Sequence, residues 1–117
     1  MKGLSISKIF KVISKTNNRC AYCGIELNEN NFTIDHIVAK IQGGDNSLSN
    51  LFAACKSCNS TKQSRSLEWF RYYLTCKKYN IPRFSDEQLM YLKKVGVYEK
   101  CIPTLIRFYF ETLNECN

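Results

Sequence analysis

The stretch Thr33-Ile34-Asp35-His36-Ile37-Val38, followed by Gly43-Gly44 and Ser49-Asn50-Leu51, decides how this chain reads, because a Cys-x2-Cys pair stands on each side of it. Upstream is Cys20-Ala21-Tyr22-Cys23-Gly24, and downstream is Cys55-Lys56-Ser57-Cys58-Asn59. Each pair can put two thiolates on one side of a tight turn. Together they supply the four-sulfur tetrahedral cage that zinc prefers. The 31 residues from 24 to 54 exceed the roughly 15 to 20 of a simple zinc ribbon, so a further element is inserted between the two halves. A closed cage leaves no open coordination position, which makes zinc structural here and sends any catalytic metal elsewhere. Such binding supplies on the order of 10 kcal/mol of apparent folding free energy, which a domain with a thin core needs. Cys76, Cys101 and Cys116 lack pair spacing and fall in predicted helices, so they read as buried or neutral thiols.

The composition fits a small metal-bearing domain. The chain has 117 residues, a formal charge of +7, seven cysteines and a single histidine. Hydrophobic residues at 44% and aromatics at 13% are too rich for a disordered chain, and five Gly with two Pro exclude collagen-like sequence. The longest run without a charge, Asn46 to Cys55, is ten residues, far below the roughly 18 of a membrane span. Lys2, Lys8, Lys11 and Lys15 interrupt any signal-peptide core, so the sequence points to a reducing cytoplasm and to metal over disulfides. Residues 1 to 25 hold five bases and no acid, and residues 53 to 83 hold seven bases and one acid. Between them, residues 26 to 52 hold one base and four acids, an arrangement suited to a metal centre flanked by phosphate-holding surfaces.

Hydrophobic spacing predicts an amphipathic helix over 5–16, closed by Asn17-Asn18, and a short strand over 32–38. Residues 47–54 read as a helical turn or loop. A longer helical region follows, broken near Ser64 to Ser66, with Trp69, Tyr72, Tyr73, Cys76 and Tyr79 on one face as core. Ser85 to Gln88 carries a capping-box signature for a helix that Gly96 can close, and Pro103 is placed to open a last helix reaching about Glu115. The whole reads as one compact domain over 1–117, with a core at about 18–65 and a helical extension at about 66–117.

The ordered pattern Thr33-Ile-Asp-His-Ile-Val, Gly43-Gly44, Ser49-Asn-Leu, Cys55-x2-Cys58-Asn59-x2-Lys62 resembles the HNH endonuclease family, in its zinc-bearing branch. The resemblance covers residues 20 to about 65. It implies an α+β fold: a ββα-metal core with a four-cysteine zinc site (Cys20, Cys23, Cys55, Cys58), an N-terminal amphipathic helix and C-terminal helices. It further implies hydrolysis of DNA phosphodiester bonds, with His36 as general base, Asp35 and Asn59 holding Mg²⁺ or Mn²⁺, and Asn50 bracing the loop that carries His36. The third motif position is Asn59 where the family's name has His, which leaves a single strongly charged protein ligand for that cation. Lys40, Lys62 and Arg65 stand close enough in sequence to contact phosphates. One active site cuts one strand, so double-strand cleavage would need a homodimer, a recruiting partner or two successive events. The alternative is a catalytically inactive zinc module that binds nucleic acid or a protein. Phage, prophage and mobile-element contexts all use nucleases of this size.

Overall fold

The computed structural model describes residues 3–102 and 104–113, and these fall into two compact units, Met1–Leu67 with Arg107–Asn117 and Glu68–Ile106. The first unit is built on a two-stranded antiparallel sheet of β1 (Phe32–His36) and β2 (Leu51–Cys55). Its register pairs Phe32 with Cys55 at one end and His36 with Leu51 at the other. The sheet therefore holds a zinc-type ligand at one end and the histidine at the other.

Helix α1 (Ile6–Lys15) starts where Ser5 Oγ accepts the Lys8 N–H, and it stops because Asn17 and Asn18 take left-handed φ of 55° and 61°. Its Lys15 ammonium donates to the Leu48 and Leu51 carbonyls and lies 4.7 Å from the Phe52 ring centroid. That clasp ties the helix to the entry of β2. Two 3₁₀ turns, Lys40–Gln42 and Leu48–Asn50, lie in the loop joining the strands. Helix α2 (Lys56–Lys62) follows β2 without a break, Cys55 Sγ accepting the Cys58 N–H at 3.4 Å as its cap.

Strand β2 occupies residues expected to be a turn or loop. Leu-Phe-Ala-Ala-Cys holds no β-branched residue, so local propensity does not announce a strand. Pairing with β1 and burial of Leu51, Ala53 and Ala54 impose it. Strand β1 ends at His36, two residues before the expected Val38, because Val38 N–H turns away to the Asn50 side chain.

Val12, Ala21, Tyr22, Leu27, Leu51, Ala53 and Phe108 form the core of this unit. Residues 107–113 join it: Tyr109 N–H donates to the Tyr22 carbonyl and Phe110 N–H to the Ala21 carbonyl. Phe108 then meets Tyr22 edge to face at 5.2 Å, and Phe110 lies 4.5 Å from Phe52, within the range of favourable ring pairs.

In the second unit α3 (Leu67–Tyr79), α4 (Asp86–Lys94) and α5 (Tyr98–Cys101) are short helices. The capping box is present, with Ser85 Oγ accepting Gln88 N–H and Gln88 Oε1 accepting Ser85 N–H. The expected aromatic core stripe is only partly inside. Cys76 is buried, but Phe70 is the ring of α3 that is fully buried, whereas Tyr79 is 46% exposed. Phe70 has no polar atom to satisfy, while the Tyr72 hydroxyl stays within reach of the Phe84 N–H it accepts. In the first unit, α6 is the single turn Tyr109–Thr112, and residues 104–108 before it are not helical. The expected helix start at Pro103, its end at Glu115 and the thiol of Cys116 lie outside the described residues.

Candidate active site

Both ends of the sheet carry a cluster of chemistry-bearing side chains. At the first end, the loop 20–25 folds back so that Cys20 N–H donates to the Ile25 carbonyl and Gly24 N–H to the Cys20 carbonyl, with Gly24 at φ 79°. The Ala21 N–H reaches the Ala53 carbonyl and so brings this knuckle to β2, whose last residue is Cys55. The Sγ atoms of Cys20, Cys23, Cys55 and Cys58 lie within 4.8 Å of one another, and Cys23 and Cys55 are 3.8 Å apart. Four sulfurs about 2.3 Å from one zinc ion stand about 3.8 Å apart, so the cluster is already at the size of a tetrahedral cage.

Its electrostatics agree with that fit. Within the cluster the ionisation of Cys20 and of its neighbours is driven apart: the Cys58 side chain's hydrogen bond brings Cys20 down to about 4, while burial pushes Cys23 up to about 11. Cys58 is pushed up further by its bond to Cys20. One thiolate is thus favoured at the expense of its neighbours, and a divalent cation is what lets all four ionise together. The donor set fits zinc.

At the other end, β1 and α2 enclose an open cleft of about 310 Å³ lined by Ile34, Asp35, His36, Ala39, Lys40, Asn59, Gln63 and Ser64. Neighbours on a strand face opposite sides. Asp35 and His36 nonetheless line the same cleft because the strand ends between them and the loop. Asp35 is 4% exposed. Its Oδ2 accepts from the Tyr22 hydroxyl and pairs with Lys62 Nζ at 3.0 Å. Burial and the Asp35 charge raise the Tyr22 phenol far above its ordinary range, so it remains a donor.

His36 is half-buried, and its Nε2 lies 2.8 Å from Asn46 Oδ1. An amide oxygen can only accept, so Nε2 is the donor of this pair, and no hydrogen bond from a described residue falls on Nδ1. Asn50 holds the loop in between: its Oδ1 accepts the Val38 N–H, and its Nδ2 donates to the Val38 and Asp45 carbonyls. Gly44 permits that closeness, since a Cβ there would sit 1.7 Å from the Val38 oxygen.

The cleft thus brings together Asp35, His36, Asn59 and Lys40, with Asn50 behind the loop. Arg65 is exposed just after α2 and does not line the cleft. Lys62, expected at the surface against phosphate, is fully buried, and its ammonium is spent on Asp35 and on the His36 carbonyl at 3.3 Å. Sequence reasoning missed Tyr22 and Asn46 as members of this network. Tyr22 reads there only as filler in a cysteine knuckle and Asn46 only as a turn residue.

Residues 20–74 match the HNH endonuclease family model. This stretch, just under half of the chain, is what resembles the HNH endonuclease family, and it contains both strands, both cysteine pairs and the cleft. Among relatives, the chain is 33% identical over 89 residues to the SPbeta prophage-derived protein YoqL of Bacillus subtilis (strain 168), whose name assigns it as an HNH endonuclease. That match spans 67% of this chain and 35% of YoqL. It is 39% identical over 54 residues to the CRISPR-associated endonuclease Cas9 of Corynebacterium diphtheriae, spanning 45% of this chain and 5% of that protein. Among solved structures, the type II-C Cas9 enzyme from Actinomyces naeslundii superposes with a TM-score of 0.50 at 23% identity, over 84% of this chain and 13% of that one. At that identity the likeness is one of fold. The chain spans about a third or less of the length of these relatives.

Proposed function

We propose that the chain is a metal-dependent endonuclease that hydrolyses DNA phosphodiester bonds, with His36 activating the attacking water. The observation that carries the reading is the cleft at the end of β1, where a histidine with a free Nδ1 lies beside a buried carboxylate and the Asn59 amide. The family match and the nuclease names of the relatives support it.

In this reading the Asn46 oxygen orients the ring through Nε2, and Nδ1 takes the proton as the water oxygen bonds to phosphorus. The P–O3′ bond breaks and the departing oxygen takes a proton from solvent water, leaving 5′-phosphate and 3′-hydroxyl ends. Such general-base help contributes about 10² to 10⁴ in rate. Asp35 and Asn59 are the oxygen donors for Mg²⁺ or Mn²⁺, which when bound offsets the charge that builds on the phosphate and the departing oxygen. Cys20, Cys23, Cys55 and Cys58 hold structural Zn²⁺. Exposed Lys40 at the cleft and Arg65 beyond α2 contact backbone phosphates.

A single copy has one such cleft and nicks one strand; a homodimer or a recruiting partner would be needed to cut both. Among the described residues no helix is long and apolar enough to cross a membrane. The prophage-derived relative supports a phage or mobile-element setting inside the cell. The test is incubation of zinc-loaded protein with supercoiled plasmid and Mg²⁺ or Mn²⁺. Nicked circles that DNA ligase reseals are expected, because ligase needs 5′-phosphate and 3′-hydroxyl ends. Binding without nicking under either cation would leave the inactive zinc module as the function.

A further inference from the structure

Lys62 has no part in the chemistry above, yet it is among the most buried side chains of the chain. It sits in the last turn of α2, 3.0 Å from Asp35 Oδ2 and donating to the His36 carbonyl oxygen at 3.3 Å. Burying an ammonium is costly unless a partner compensates it. Here the partner is the carboxylate that the reaction needs for a divalent cation. A second donor, the Tyr22 hydroxyl, reaches the same oxygen from the cysteine knuckle. Both contacts fall on Oδ2, and no hydrogen bond from a described residue falls on Oδ1.

We infer that Lys62, by neutralising Asp35, and Tyr22, by holding the same carboxylate oxygen, are positioning residues in the free protein, so that the catalytic cation binds weakly until DNA brings its own phosphate. The inference rests on the reading of this cleft as a metal-dependent nuclease site. A cation on Oδ1 stands within a few ångströms of the Lys62 ammonium. Even at an effective dielectric of about 20, that repulsion is worth at least about tenfold in affinity. Lys62 cannot step aside, since it is enclosed on all sides and held by two acceptors. A scissile phosphate adds negative charge at the same place and offsets the repulsion. Cation and DNA then raise each other's affinity by the same factor. Orientation comes with the arrangement: Oδ2 is fixed by two donors, which leaves Oδ1 as the oxygen presented to the cation.

The experiment is a Mn²⁺ titration of zinc-loaded protein without DNA, followed by calorimetry. Lys62→Met keeps an unbranched side chain, one atom shorter, and removes its charge, and Mn²⁺ binding about tenfold tighter than wild type is expected. Tyr22→Phe keeps the ring that meets Phe52 and Phe108 and removes only the hydroxyl; about two- to threefold tighter binding is expected, since one hydrogen bond is lost from the carboxylate. Mn²⁺ binding unchanged or weaker in both variants overturns the inference. Melting with and without Mn²⁺ guards against a folding artefact. Lys62→Met, with its carboxylate uncompensated, should gain more stability from Mn²⁺ than wild type does, and an equal gain counts against the proposal. A wild-type protein that nicks no DNA with Mn²⁺ removes the nuclease reading itself. Nicking by wild type with unaltered Mn²⁺ affinity in the variants removes this inference alone.

Discussion

The two ends of one short sheet hold centres built on opposite principles. At the Phe32–Cys55 end, four like donors are packed together, with Cys20 brought down and Cys23 and Cys58 pushed up. At the His36–Leu51 end, the buried carboxylate of Asp35 already has its counter-charge inside the chain, in Lys62. The two lie four residues apart along the strands, about 13 Å at the usual rise per residue. In the proposed reading the first centre takes its cation to settle its own charges and so belongs to the fold. The second is settled without one and stays open for a substrate. On that reading, where the charge is balanced separates a structural metal site from one available for chemistry.

That contrast is broken most forcefully at the cysteines. Cys20→Ser or Cys58→Ser should remove zinc and with it on the order of 10 kcal/mol of apparent stability, seen as loss of the cooperative melt and of the one-to-one zinc content. A variant that melts like wild type would contradict a structural cage. Next in size is Gly44→Ala, whose methyl cannot coexist with the Val38 carbonyl 1.7 Å away. The loop must move, and cleavage should fall by roughly a hundredfold, because displacement of about 1 Å near a reacting group costs that much. Cleavage at the wild-type rate would show that the loop does not position His36.

Asn50→Ala should be milder. It removes three hydrogen bonds at a partly exposed site, about 1–2 kcal/mol in total, and should lower the melting temperature by roughly 5 °C while zinc stays bound. Zinc loss in this variant would mean that the two ends of the sheet are not independent. Smallest is Lys40→Ala, expected to leave folding unchanged and to reduce the slope of log affinity for DNA against log salt by about 1. An unaltered slope would take Lys40 out of phosphate contact.

Which parts of this were legible in the sequence follows from the range of the contacts. The cysteine pairs are local, two residues between sulfurs, and their spacing alone announces a cage. The capping box at Ser85 and the helix end at Asn17-Asn18 are also local and are found as expected, the latter through left-handed backbone at both residues. Asp35, His36, Asn50 and Asn59 were visible through an ordered pattern, and the structure gathers the first two and Asn59 at one cleft with Asn50 behind it. Strand β2 was not legible, because Ala53 and Ala54 become strand through their partners Ile34 and Thr33 on β1. Nor was the Tyr22–Asp35–Lys62 network. It joins residues 13 apart on one side and 27 on the other, and a buried lysine looks in sequence like any surface base. A basic residue beside a nuclease motif suggests phosphate; only the fold shows that this one is turned inward.

The claim that the cleft at the end of β1 performs hydrolysis is tested most directly by the nicking rate of zinc-loaded His36→Ala on supercoiled plasmid with Mn²⁺, beside wild type. The account predicts a fall of about 10² to 10⁴ at an unchanged melting temperature and zinc content. Equal rates for the two proteins would contradict it.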